Sequence, residues 1–564
     1  MFSKKHTISL SIALIIILGF SVYLNSLNNE FLYDDDHLVR DNLYIRSWSN
    51  IKDIFRQDIG GGIGVAAGGE YYFYRPLQIS TYLLDYSLWK LNAKGYHLTS
   101  ILLHILVGLG VYWLVNILYN DKSLSLLTGV FYVVHPVHTE AVAYVSGRSD
   151  PLALLFILIC VIYYIKSLHS ERLLACLFMC LSYILALLSR ESTLILPILL
   201  LLYHYAFNKN KGLKNLIPVA IISLVYIIVR TTALSSTLRT LPQDSSLIER
   251  VPSFFAAMFE YIRLLLIPLN LHMEYGRGLF DFYDLKVIIG IIVVCVLLIS
   301  ALITRKRNRL VFFSISWFAI SLLPVSGIYP TNAFMAEHWL YLPSIGFFII
   351  LARVITLLYR KKEVKVLSII LIIFVTSFWS YLTIKQNTYW KDPISFYERT
   401  IKFSPESLAV LTNLANEYTK IGKDKEALPL LKKAIEVNPN YAEPYNNLGN
   451  AYIALGKDRE AILVLNKAIE IDPDYLTPYN NIGIAYFNIG ERQKAIEIFK
   501  KAIEIDPDYK EGHHNLSLAY LKEEEYGLAR KHCNLAIKLG HKPAILLLKA
   551  IKENEEFQRR QNKI

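Results

Sequence analysis

Acids, arginines and histidines gather in four sets of short stretches in this sequence, and each set suits proton or phosphate chemistry. The first is Tyr33-Asp34-Asp35-Asp36-His37. Adjacent carboxylates beside a bilayer repel one another and lose hydration, so at least one is expected to have a raised pKa or a cationic partner, which suits a general base. A solvated acidic loop or a helix cap accounts for the same residues. The second set is His135-Pro136-Val137-His138-Thr139-Glu140, followed by Gly147-Arg148-Ser149-Asp150. His135 and His138 are metal-ligand types, but Pro136 breaks regular spacing between them and no third ligand stands out, so hydrogen bonding and substrate orientation fit better. The third set is cationic: Arg75 in Tyr74-Arg75-Pro76-Leu77, Arg190 beside Glu191, and Arg230. A guanidinium is a planar, permanently charged fork for a pair of phosphate oxygens, with snorkelling to lipid headgroups as the alternative for each arginine alone. The fourth runs from Ala336 to Pro343 and sets Glu337 and His338 beside Trp339 and Tyr341. An aromatic belt explains the last two but not the first two.

These residues need elements to hold them, and the composition says which. Of 564 residues 54 % are hydrophobic and only 19 % charged, and mean hydropathy is +0.35, which excludes a single soluble globular domain. Apolar runs long enough to cross roughly 30 Å of hydrocarbon as helices predict a polytopic membrane protein. Spans are expected near 8–24, 97–119, 123–141, 150–167, 172–188, 192–208, 214–230, 285–304, 310–327, 339–359 and 364–384, eleven in all. Ser253 to Leu266 is left out as an interfacial helix, because Glu260 and Arg263 would otherwise enter lipid. With the N-terminus cytoplasmic, Lys and Arg collect in the cytoplasmic loops, and all four polar sets fall on the outer face together with everything after Gln386. The first run offers no small-x-small cleavage site and is read as an uncleaved span. Most of the net charge of +12 belongs to the membrane half, so it signals no nucleic acid. The five cysteines show neither disulfide nor metal spacing. The Gly-rich run Ile59 to Gly69 lacks a Lys-Ser/Thr pair, which argues against a nucleotide phosphate loop and for a mobile flap.

From about Leu408 a repeat of 34 residues appears. Tyr418, Tyr452, Tyr486 and Tyr520 recur at that period, as do Asn413, Asn447, Asn481 and Asn515, and Ala434, Ala468, Ala502 and Ala536. This resembles the tetratricopeptide repeat (TPR), with small residues where two helices approach and proline where the second stops. The expected organisation is a transmembrane domain over 1–390, a linker over 391–407, four repeats over 408–543, and a capping helix and tail over 544–564. The fourth unit departs at Ser517 and at His541. Such an array presents a concave surface to a protein partner, or serves as a scaffold.

Taken in order, Tyr33-Asp34-Asp35, Tyr74-Arg75-Pro76-Leu77, His135 to Val142, Gly147-Arg148-Ser149-Asp150 and Glu337 to Pro343, followed by the repeats, resemble the transmembrane and tetratricopeptide-repeat-containing O-mannosyltransferases across essentially the whole chain. The resemblance implies an all-α polytopic bundle of the C-type glycosyltransferase (GT-C) fold and an integral-membrane enzyme. That enzyme would transfer a sugar, mannose in the known members, from a polyprenyl (dolichyl or undecaprenyl) phosphate to Ser or Thr of a protein on the outer or luminal face. It implies a catalytic base at Asp34 or Asp35, with Asp36 an extra acid. Inverting transfer would use that base, with Arg75, Arg148 or Arg190 neutralising the departing phosphate. His138, Glu140, Asp150, Glu191, Arg230, Glu337 and His338 complete the expected substrate-binding set. No cofactor is required, and a divalent cation held by the acids is the other way to stabilise the phosphate. The plasma or inner membrane of a prokaryote, or the endoplasmic reticulum of a eukaryote, would be its place. The rival reading is a membrane-anchored repeat scaffold for cell-envelope assembly, in which Asp34 and Asp35 are dispensable.

Overall fold

The structure, a computed structural model, describes residues 4–62, 73–168, 172–207, 213–232, 246–276, 278–328, 331 and 333–561. Among them every regular element is helical, as the composition predicts. The chain separates into two units, Met1–Arg399 and Thr400–Ile564.

In the first unit a helix occupies each of the eleven expected stretches. Among the described residues six are long and apolar enough to cross a membrane by themselves: Ile8–Asn28, Ala93–Tyr119, Val145–Ser167, Leu213–Thr231, Leu285–Arg307 and Lys362–Trp390. The rest are shorter. The third expected span stops at Val134 instead of residue 141, because Pro136 has no N–H to donate and biases His135 to extended backbone. At 1.5 Å per residue its regular helix covers about 20 Å. The helix left out of the count is Leu247–Leu266, opened by a reciprocal Ser246/Glu249 cap. Its Glu260 is neutralised by Arg263 at 2.5 Å and Lys286 at 2.9 Å.

Close approach of helices depends on small residues. A Cβ on Gly346 would stand 2.2 Å from the Ser314 carbonyl, so only glycine lets Ser344–Arg360 lie on Arg309–Ser321. Tyr23, His104, Tyr132, His138 and Tyr341 form a buried aromatic knot. Most of the four polar sets lie on short segments between helices: the turn at Tyr33, Pro136–His138, Thr139–Ala143, Val145–Arg148, Glu191–Ile195 and Glu337–Leu340; Asp150 and Arg230 lie in the helices Ser149–Ser167 and Ile217–Thr231. Of the Gly-rich run, residues 63–69 lie outside the described residues.

The second unit is a row of antiparallel helix pairs: Leu408–Lys420 with Asp424–Val437, Ala442–Ala454 with Asp458–Ile471, Leu476–Asn488 with Arg492–Ile505, and Lys510–Lys522 with Tyr526–Lys538. Ala544–Gln561 follows. The stretch 391–407, expected as a linker, contains the helix Pro393–Ile401. Between the helices of each pair the chain turns through left-handed backbone at Gly422, Gly456, Gly490 and, in the last unit, Glu524. Where Gly449 and Gly483 face Leu465 and Phe499, the last unit sets Ser517 opposite the smaller Cys533, and the Ser517 hydroxyl donates to the Ala529 carbonyl at 2.7 Å.

Candidate functional site

Tyr33 has a left-handed φ of 51°, an uncommon conformation for a side chain of its size. The turn separates three neighbouring acids into three environments. Asp35 points inward, 1 % exposed, and accepts from the Leu32 N–H (3.1 Å), the Ser146 N–H (2.7 Å) and the Ser146 hydroxyl (2.5 Å). Burial pushes its carboxyl up to about 7 against the pull of those donors. Asp36 faces Arg40 at 2.8 Å. Asp34 is half-buried, its N–H donating to the Tyr144 hydroxyl at 3.2 Å. Burial raises its pKa, and Tyr144, His37 and Arg75 oppose the rise.

Arg75, whose charge reaches Asp34, stands immediately before Pro76, which opens the helix Pro76–Trp89. It holds Glu191 by two hydrogen bonds of 2.8 and 3.2 Å. Arg190, in extended backbone, marks the break between Arg172–Ser189 and the next turn, and it pairs with Asp150. Both guanidinium groups reach one hydroxyl, Ser149, at 3.4 and 3.3 Å. Arg230 joins from a third helix and donates to the Tyr226 hydroxyl at 3.2 Å, and Tyr226 lies within electrostatic reach of Glu191 and Arg75. Arginines carry this wall, balanced by Glu191 and Asp150, while Arg230 meets no carboxylate among the described ion pairs. Chemically it can hold a dianion, with a carboxylate of raised pKa nearby to accept a proton.

A second group forms at the other end of Thr139–Ala143. Glu140 accepts from the His338 ring Nδ1 at 2.7 Å and from the His338 backbone N–H at 3.0 Å. Glu337 accepts from the His272 N–H and the Tyr275 hydroxyl, each at 2.6 Å. Burial and the neighbouring Glu140 push the Glu337 carboxyl well above its usual range.

The expectation that Arg148 and His138 meet substrate is revised, because both are fully enclosed. Arg148 pairs with Asp85 at 2.6 Å, donates to the Tyr96 carbonyl at 2.7 Å and lies over the Tyr82 ring. His138 bonds the Tyr132 carbonyl at 2.9 Å and Ser344 at 3.0 Å. His135 is enclosed too, near the Leu265 carbonyl. Among the described residues no three His, Cys, Asp or Glu side chains converge as a metal site would need. The sequence reading missed Tyr144, Ser146, Tyr226, Asp85 and Tyr275. Tyr144 and Ser146 stand between two recognised motifs, a signal available in the sequence, whereas Tyr226 and Asp85 lie in ordinary helical sequence.

The TPR repeat profile matches residues 415–456 and 449–490, and the tetratricopeptide repeat profile matches 478–509. A protein O-mannosyl-transferase of Caenorhabditis elegans is 28 % identical over 73 % of this chain and 61 % of its own length. The chain is a homologue of the O-mannosyl-transferases. TMTC3 of Mus musculus is 24 % identical over 72 % of this chain and 48 % of its own length, and TMTC1 of Homo sapiens 26 % identical over 72 % and 52 %. The chain thus spans between about half and three-fifths of the length of these relatives. The match reaches well beyond the repeats, which make up the smaller unit.

Proposed function

We propose that this chain is an integral-membrane glycosyltransferase that moves a mannosyl group from a polyprenyl phosphate to the hydroxyl of Ser or Thr in a protein, on the outer face, with the repeats engaging the acceptor or a partner protein. The observation that carries it is the half-buried Asp34 within electrostatic reach of Arg75, which shares Ser149 with Arg190. The names of the relatives supply the sugar and the class of acceptor.

In this reading Asp34 is the base and Asp35 its support. Asp35 has its carboxyl enclosed and occupied by three donors, so it fixes the turn against Ser146. Asp34 keeps access. The acceptor oxygen attacks the anomeric carbon while the bond from that carbon to the phosphate oxygen breaks. The electron pair leaves on the phosphate, and the hydroxyl proton passes to Asp34, giving inversion. Arg230, which meets no carboxylate among the described ion pairs, supplies positive charge to the departing phosphate, and Arg75 and Arg190 line its seat, where preorganised charge lowers the barrier. The topology that serves this scheme is the eleven-span one, with the N-terminus cytoplasmic.

The test is transfer of labelled mannose from polyprenyl phosphate mannose to protein in membranes containing the full chain. Wild type should label acceptors. Asp34→Asn should reduce transfer by about 10²-fold or more, as loss of a general base does, and Asp35→Asn should lower folded yield more than turnover per folded molecule. A wild-type chain that transfers no polyprenyl-linked sugar, or an Asp34→Asn chain with full activity, overturns the reading.

A further inference from the structure

We infer that His338, its ring fixed by Glu140, binds a substrate hydroxyl; this rests on the transfer reading above. The segment Glu337–Leu340 is already anchored without that ring. The His338 backbone N–H donates to one oxygen of Glu140 at 3.0 Å, and Glu337 takes the His272 N–H and the Tyr275 hydroxyl at 2.6 Å each. The additional bond, from ring Nδ1 to the other Glu140 oxygen at 2.7 Å, therefore serves to orient the imidazole. A carboxylate accepts only, so Nδ1 carries the hydrogen, and in the neutral ring Nε2 then presents a lone pair. Glu140 is 5 % exposed and held, whereas the His338 side chain is 24 % exposed. No described residue hydrogen-bonds Nε2. An imidazole locked on one side and open on the other is the arrangement by which an orienting acid prepares a histidine for an incoming O–H.

Its place favours the same chemistry. Glu140 and Tyr144 bracket the short helix Thr139–Ala143, and the Tyr144 hydroxyl accepts from the Asp34 N–H. Glu140 and Tyr144 are thus one helical turn, about 6 Å, apart along the backbone, on a helix that anchors both the proposed base and the open imidazole. A hydroxyl reaching Nε2 belongs either to the sugar of the donor or to the acceptor chain. These two sources are separable by kinetics.

The experiment uses the full chain in detergent or nanodiscs, with polyprenyl phosphate mannose and a Ser/Thr peptide, each varied against a saturating amount of the other. His338→Ala should raise one KM about 10-fold, the size of one lost hydrogen bond or slightly more, and leave the other KM unchanged. A raised donor KM assigns the sugar; a raised acceptor KM assigns the peptide. His338→Gln, whose amide oxygen still accepts, should recover part of the loss, and Glu140→Gln should reproduce it with a smaller effect. Unchanged KM values for both substrates overturn the inference while the transfer reading stands. So does a fall in kcat alone that tracks folded fraction. A wild-type chain inactive with all polyprenyl-linked sugars removes both.

Discussion

Arg148 is the residue on which an enclosed charge and a substrate contact make opposite forecasts. Replacing it with Met keeps apolar bulk and removes the guanidinium from a place where its side chain is fully enclosed and that of Asp85 is 2 % exposed, with 2.6 Å between them. Removing one partner of a buried pair destabilises by about 3–5 kcal/mol, chiefly by leaving the other charge unpaired. Asp85 would retain only the Thr99 hydroxyl at 2.7 Å. The Tyr96 carbonyl also loses a 2.7 Å donor, and the faces of Tyr82 and Tyr96 lose a cation at 4.9 and 5.8 Å. These losses overlap, so we expect about 4 kcal/mol, roughly a thousandfold in the folding equilibrium. In Arg148→Met/Asp85→Asn no charge is stranded, and the cost should fall to about 2 kcal/mol. Equilibrium unfolding in micelles, followed by tryptophan fluorescence for wild type, both single variants and the double, gives the coupling directly. Arg148→Met within about 0.5 kcal/mol of wild type, or additive single effects, would refute the reasoning. A substrate arginine would instead leave stability intact and abolish transfer.

Four more outcomes are accessible. Glu524 carries a φ of 61° at the turn where the other units use glycine, so Glu524→Gly should stabilise the last helix pair by up to about 1 kcal/mol despite losing the contact from Gln558; slower hydrogen exchange in Lys510–Lys522 would report it. A Cβ on Gly483 would fall 2.4 Å from the Phe499 ring, so Gly483→Ala should destabilise by about 1–3 kcal/mol. Adding Phe499→Cys should relieve it, because Ser517 already coexists with Cys533 in that register, and thermal unfolding checks both. The raised pKa of Asp34 means that transfer should increase with pH, with an inflection above the ordinary carboxylate range that Asp34→Asn removes. For Asp35, raised from 3.8 to about 7 on folding, the contribution to stability is complete below the unfolded value and is lost as pH rises through about 7. Unfolding at pH 5 and pH 8.5 should show wild type weaker at the higher value and Asp35→Asn less sensitive.

The sequence by itself determined the architecture. Apolar runs of membrane-spanning length and a 34-residue period are one-dimensional signals, because a helix in lipid must satisfy its own backbone and a repeat packs mainly on its neighbours. It also named most of the charged residues that the fold gathers, since acids and arginines beside a bilayer are too unfavourable to be placed idly. Which of Asp34, Asp35 and Asp36 is open, and whether Arg148 and His138 face outward or inward, was decided by tertiary structure alone. Successive side chains leave a turn in different directions, and a left-handed residue at Tyr33 sets those directions. Arg148 could be recognised as enclosed only once Asp85, more than sixty positions earlier, was brought against it. The same holds for Glu140 and His338, nearly two hundred residues apart: their spacing in sequence says nothing of a contact that depends on how separate helices stack.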